Sequence, residues 1–132
     1  MWLYGKVNSL SRGQNWHEGA VSLEEIVRRS LLYDFYGCLL TEHQSRIYQM
    51  AVFHDLSLSE IAETAGITRQ AASDLLRRVD RQLQGYENNL HLVRKFEEVR
   101  RCAAKIRELS DGKDPDSFRQ ISGLADRILG EI

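Results

Sequence analysis

Apolar residues recur at intervals of three and four along most of the chain, and several of these runs open on a side chain suited to capping a helix. From Ser22 to Tyr36 the repeat is Leu23, Ile26, Val27, Leu31 and Phe35. Ser22 and Glu25 form a capping box at its start, and Gly37 stands where the helix can end. Thr41 and Gln44 make a second box before a helix through Phe53, whose inward positions are Ile47, Tyr48, Ala51 and Val52. Ser57 and Glu60 make a third, opening a short helix over Leu58–Ala65 that Gly66 closes in a left-handed conformation. Thr68 caps a fourth helix running to about Leu83.

Gly85 marks an expected bend. Beyond it Tyr86, Leu90, Val93, Phe96, Val99, Ala103 and Ile106 keep helical spacing, predicting one long helix over Leu83–Leu109. Such a helix extends about 40 Å, outruns a small bundle, and must pack its apolar stripe on something else. Ser110–Pro115 interrupts the pattern. Asp114 then caps a last helix with Pro115 in its first turn and Phe118, Ile121, Leu124, Ala125 and Ile128 on its inner face. A single short helix is marginal alone, so it either folds back on the long helix or pairs with another chain, giving a homodimer through the C-terminal helices.

Residues 1–20 show neither helical nor alternating periodicity, and Gly5, Gly13 and Gly19 interrupt them. They read as a disordered N-terminal extension. A sharper alternative is a mis-assigned start, with translation beginning at Val21, since Glu18–Gly19 can be encoded by a purine-rich ribosome-binding sequence. On that reading Trp2 and Trp16 are not functional aromatics. The expected organisation is therefore 1–20 extension, 21–84 helix-turn-helix bundle, and 85–132 long helix plus C-terminal helix. The fold class is all-α, and one proline in 132 residues agrees with it.

The helix-turn-helix reading rests on LSEIAETAGITRQAASDLLRR, counted from Leu58 as position one. Ala62 is fifth, where two helices approach closely and only a small side chain fits. Gly66 is ninth, where the turn needs positive φ. Ile61, Ala65, Ile67, Ala72 and Leu75 supply the apolar set that clamps the two helices. In a nucleic-acid-reading unit the second helix presents its N-terminal residues to the groove. Here those are Thr68, Arg69, Gln70, Ser73 and Arg77, with Asp74 on the same side. Arg69 suits phosphate or guanine, Gln70 suits adenine, and Thr68 suits the backbone. The same geometry also serves as a scaffold or protein-docking element.

Charge shifts this picture. Eighteen Lys and Arg against nineteen Asp and Glu leave a net charge of −1, which argues against a chain built chiefly to neutralise a polyanion. Within Ser57–Gln82 the cations Arg69, Arg77, Arg78 and Arg81 are cancelled by Glu60, Glu63, Asp74 and Asp80. A monomer making about four phosphate contacts would show a log K against log salt slope of only about −3 to −4. The positive excess lies further on, where Arg94, Lys95, Arg100, Arg101, Lys105 and Arg107 meet only Glu97 and Glu98. That run is either a solvated helix face or a docking strip for RNA or an acidic protein.

Catalytic chemistry is not legible. His17, His43, His54 and His91 lie in different segments without metal-ligand spacing, and no phosphate-binding glycine loop occurs, so neither a cofactor nor a metal is expected. Cys38, beside Leu39 and Leu40, reads as a buried structural thiol, as does Cys102. Tyr33, Phe35, Tyr36, Tyr48 and Phe53 read as core packing. The absence of a long apolar run or signal-peptide pattern predicts a cytoplasmic protein without membrane insertion.

Three separated stretches together resemble the YlxM family: LLYDFYGCLLTEHQ (Leu31–Gln44), HDLSLSEIAETAGITRQAASDLLRR (His54–Arg78) and GYENNLHLVRKF (Gly85–Phe96). The resemblance covers roughly Leu23 to Arg101. It implies a small helical bacterial protein with a sigma-factor region-4-like helix-turn-helix, non-enzymatic, with a regulatory role in the signal recognition particle pathway. The family's genes typically neighbour those of the particle GTPases Ffh and FtsY. Particle RNA or Ffh is then the implied partner, met through Arg94–Arg107 and the Arg69–Arg77 face. A DNA-binding transcriptional regulator using Thr68, Arg69, Gln70 and Ser73 is the other reading.

Overall fold

The computed structural model describes residues 22–112 and 114–131. The expected disordered extension over 1–20 and the alternative start at Val21 lie outside the described residues. Within them the chain is all-helical, with six α-helices and a short 3-10 turn: α1 Leu23–Tyr36, the turn Gly37–Leu39, α2 Glu42–Val52, α3 Leu58–Ala65, α4 Arg69–Leu90, α5 Leu92–Ser110 and α6 Ser117–Glu131. The chain divides into two compact units, 22–89 and 90–131 among the described residues.

In the first unit, caps set most of the boundaries. Thr41 and Gln44 exchange both bonds of a capping box, as do Ser57 and Glu60. The Glu60 carboxylate, accepting from the Ser57 backbone N–H at 2.7 Å, is held below its ordinary pKa by that bond and by the Ser57 hydroxyl. The box expected at Ser22 is only half formed. Ser22 Oγ accepts from the Glu25 N–H, but the Glu25 carboxylate turns instead to Arg29 at 2.6 Å. Gly37 ends α1 without the left-handed geometry, at φ −59, and leads straight into the 3-10 turn. It is buried, and a Cβ there would meet the Tyr33 ring at 3.0 Å, so the close approach of that ring favours glycine.

The apolar repeats converge as their spacing requires. Ile26, Leu32 and Tyr36 of α1 share one core with Ile47, Tyr48, Ala51 and Val52 of α2, Ile61 of α3, and Ala72, Leu76, Val79 and Leu83 of α4. Aromatic packing supports it: Tyr33 stacks on Tyr48 with centroids 5.7 Å apart and meets Phe53 edge-on at 5.3 Å. The Tyr36 hydroxyl donates to Glu87 at 2.6 Å, which is how a carboxylate comes to be buried late in α4. Two residues assigned to the apolar set behave otherwise. Leu23 is exposed at the start of α1, and Cys38 is exposed on the 3-10 turn, where Leu39 is exposed too. Three residues of turn cannot carry a side chain inward as a helix turn would, so Cys38 is no buried thiol.

Tyr48 is buried and donates to Asp80 at 2.8 Å. Burial first, then the negative charge of Asp80, push its pKa well above the ordinary 10.0. The folded chain therefore keeps a proton that the unfolded chain loses. The associated stability is complete below about pH 10 and falls as pH rises, by up to about 1.4 kcal/mol per unit for one proton. Tyr48→Phe should flatten this alkaline limb while costing about 1–2 kcal/mol at neutral pH. Urea unfolding between about pH 8 and about pH 11 measures both effects.

The long helix expected over Leu83–Leu109 is two helices. Gly85 sits inside α4 with no bend assigned to it, and the break comes at His91, whose φ of 56 is left-handed. A helix-interior glycine costs only about 1 kcal/mol, which neighbouring packing readily offsets. The last helix starts at Ser117, because the Asp114 carboxylate accepts from the Asp116 N–H at 3.1 Å and leaves Pro115 in a turn before it. In the second unit α5 and α6 pack on each other, with Cys102 and Ser117 buried. Phe118, assigned to the inner face, is 79% exposed. No strand occurs among the described residues.

Candidate nucleic-acid interface

Helices α3 and α4 are joined by a complete Schellman turn. The Ile67 N–H donates to the Ala62 carbonyl at 3.0 Å and the Gly66 N–H to the Glu63 carbonyl at 3.4 Å. Gly66 takes φ 66 and ψ 33, the left-handed geometry that position nine demands. Ile61 and Ala62 of α3 are buried, and Ala72 and Leu76 of α4 are fully buried. Ala65, Ile67 and Leu75 of the clamp are half-buried. Thr68 Oγ1 accepts from the Ala71 N–H at 3.0 Å and so fixes the start of α4.

This turn presents Thr68, Arg69 and Gln70 at the exposed N-terminal end of α4. Gln70, Asp74, Arg77 and Arg81 follow at spacings of four, three and four, forming one exposed row along the helix. Arg81 belongs to this row and was missed in the sequence reading, although the same spacing marks it. Ser73 does not belong. At 8% exposure it lies on the buried side of α4 and is withdrawn from the set of groove-facing residues. Gln70 is also committed locally, its amide donating to Asp74 at 3.0 Å. The row thus offers Arg77 and Arg81 with one carboxylate among them, and Arg69 stands beside it in the first turn of α4.

A second arginine feature has no counterpart in the sequence reading. Arg29, only 4% exposed, donates to Glu25 at 2.6 Å and approaches Asp80 at 3.4 Å, and Asp80 also accepts from Tyr48. The network ties α1, α2 and α4 together. Beside it lies a hollow of about 250 Å³ between α1 and α4, lined by Arg28, Arg29, Arg81, Glu25, Asp80 and Gln84 among others. Arg28 bonds Gln84 at 2.6 Å. Glu25 and Asp80 meet Arg29, and the Gln84 amide meets Arg28, so those two cations belong to the scaffold.

On α5 the six cations do not form one strip. Arg94, Arg101 and Lys105 share a face with Glu97, Glu98 and Glu108; Arg100 and Arg107 project on another; Lys95 stands apart. Arg101 pairs with Glu98 at 2.7 Å and Lys105 with Glu108 at 3.1 Å. The local excess of positive charge is real, but acids are interleaved with half of it. Among the described residues, no group of three or more His, Cys, Asp or Glu is placed to hold a metal, and no helix is long and apolar enough to cross a membrane.

Comparison with known proteins fits this geometry. A family model described as "UPF0122: Putative helix-turn-helix protein, YlxM / p13 like" matches residues 23–121. A UPF0122 protein of Desulforamulus reducens is 37% identical over 111 residues, covering 81% of this chain and 95% of the relative. One from Caldanaerobacter subterraneus subsp. tengcongensis is 42% identical over 85 residues, covering 64% and 73%. One from Bacillus cereus is 41% identical over 87 residues, covering 66% and 79%. No solved structure matches the chain.

Proposed function

The chain belongs to the UPF0122 family of YlxM/p13-like helix-turn-helix proteins, and on that premise we propose that it is a non-enzymatic regulatory protein that docks on the RNA of the signal recognition particle, beside the GTPase Ffh. The observation that carries a nucleic-acid role is the complete α3–turn–α4 unit with Arg69, Arg77 and Arg81 on its exposed side. What favours a structured RNA over a free operator is the poverty of base readers. Ser73 is buried and Gln70 bonds Asp74, which leaves chiefly arginines, side chains that meet phosphates as well as guanine. Contacts of that kind position a protein on a helical backbone without reading its sequence, and a ribonucleoprotein supplies the remaining affinity through other surfaces. Arg94, Lys95, Arg100, Arg101, Lys105 and Arg107, spread over several faces of α5, supply further cations for such contacts.

A pull-down of the full chain from the cytoplasm of a related bacterium, with and without nucleases, tests this reading. Particle RNA should be retained, lost on ribonuclease treatment and insensitive to deoxyribonuclease. Arg100→Glu with Arg101→Glu should reduce the recovered RNA at least about tenfold, two reversed charges being worth more than about 1.4 kcal/mol beside a polyanion. Recovery of genomic DNA fragments and no particle component would overturn the proposal in favour of a transcriptional regulator that reads DNA through Thr68, Arg69 and Gln70.

A further inference from the structure

The exposed row that begins at Gln70 ends at Arg81, and Arg81 also lines the hollow of about 250 Å³ between α1 and α4. It lies about 18 Å along the helix from Arg69. Across the hollow stands Arg28 of α1. Its guanidinium donates to Gln84 at 2.6 Å, and the Gln84 amide in turn donates to Asn88 at 2.8 Å. Gln84 follows Arg81 by three positions, so this bond holds the Arg28 head one helical turn from Arg81. Arg28 spends one of its five N–H donors there, and both arginines are exposed. Arg81 makes no hydrogen bond or ion pair to the other described residues.

The charge of the lining selects a ligand. Glu25 and Asp80 both face Arg29, at 2.6 and 3.4 Å, and the three together carry one net negative charge. Arg28 and Arg81 add two positive charges, which leaves the hollow with one positive charge in excess. Glu24 stands one turn from Arg28, but Arg77 and Arg78 stand one turn from Arg81, so the surroundings do not reverse this balance. A backbone phosphodiester carries one negative charge, whereas a phosphate monoester carries closer to two. The volume falls below the roughly 300 Å³ at which small-molecule pockets begin, which suits a single small group. On the RNA reading above, we propose that the hollow seats one backbone phosphate of an RNA lying along α4, clamped between Arg81 and Arg28. The nucleic-acid interface then extends from the helix-turn-helix onto α1, a contact that α4 alone does not supply. Because Gln84 already holds the Arg28 fork in place, closing on the phosphate costs little side-chain entropy.

Titrating the full chain with a labelled hairpin of particle RNA at several salt concentrations tests the proposal. Arg28→Gln and Arg81→Gln should each lower the slope of log K against log salt by about 1, and the affinity at about 0.15 M salt about fivefold. The double variant should do no more than either alone, because both changes vacate the same phosphate. Both positions are exposed, so the helical signal should not change. Adding about 10 mM inorganic phosphate at constant ionic strength should leave the affinity unchanged, the seat being matched to a diester. An additive double variant, with the slope lowered by about 2, would assign the two arginines to separate phosphates and overturn the shared seat. Displacement of the RNA by inorganic phosphate would overturn it in favour of a free anion. RNA binding that is unaltered by either variant would overturn it while the functional reading stands. A wild type that binds no RNA would instead sink the functional reading, and the seat with it.

Discussion

Replacing Asp80 by alanine should lower the stability of the helix-turn-helix unit by about 3 kcal/mol, because it removes one carboxylate from a buried guanidinium. Arg29 is 4% exposed and is held by Glu25 and Asp80, while Tyr48 gives its hydroxyl proton to Asp80 at 2.8 Å. Taking Asp80 away leaves a positive charge in the core with fewer anions and a buried hydroxyl without its acceptor. Partial exposure of Asp80 places the cost at the lower end of the range for breaking a buried pair. Asp80→Asn should cost less, since it keeps an oxygen for Tyr48. The informative control replaces charge by apolar volume: Arg29→Met, Tyr48→Phe and Asp80→Leu together should recover most of the loss, because the network's desolvation cost disappears with its charges. Urea unfolding followed by circular dichroism measures all three. A loss below about 1 kcal/mol for Asp80→Ala would reduce the network to the value of an exposed pair.

That network also shows where sequence reading stops. Caps and periodicity place α1 to α3 and the start of α4 closely, because each cap is a contact within four residues and each stripe a property of one helix. Arg29 is different. Its burial depends on Asp80, fifty-one positions away, and in the sequence it is simply the second of two adjacent arginines on a polar-looking edge. Ser73 fails for a related reason: its small hydroxyl suits either side of a helix, and only the packing of α4 decides which. His91 breaks the long helix in a left-handed conformation that glycine adopts far more readily, whereas Gly85, the residue that preference favours, stays helical. Phe118 is exposed although it keeps the spacing of the inner face, because a two-helix hairpin has room for only part of a wide apolar arc. The helix-turn-helix itself was legible because its demands are local: a small residue, a left-handed glycine and a short apolar clamp.

Reversing Arg69 and Arg77 to Glu should reduce nucleic-acid affinity by at least about 100-fold and lower the salt-dependence slope by about 2, as expected when two phosphate contacts are lost and two negative charges take their place. Both positions are exposed, so the helical signal should survive. Asp74 makes the sharper counterpart. It lies in the same row and holds Gln70 by a 3.0 Å hydrogen bond. Asp74→Ala therefore removes an anion facing phosphate and frees an amide able to pair with a base edge. Affinity should rise by about 3- to 10-fold, the scale of one screened charge at this range. If discrimination between duplex sequences appears only in this variant, the wild-type row positions without reading, because Asp74 keeps Gln70 occupied. Titrations across several salt concentrations on an RNA hairpin and a DNA duplex separate the two effects, since charge acts on the slope and base reading on the difference between sequences. Unchanged affinity after the double reversal would place the contact away from α4 and leave the helix-turn-helix as a scaffold.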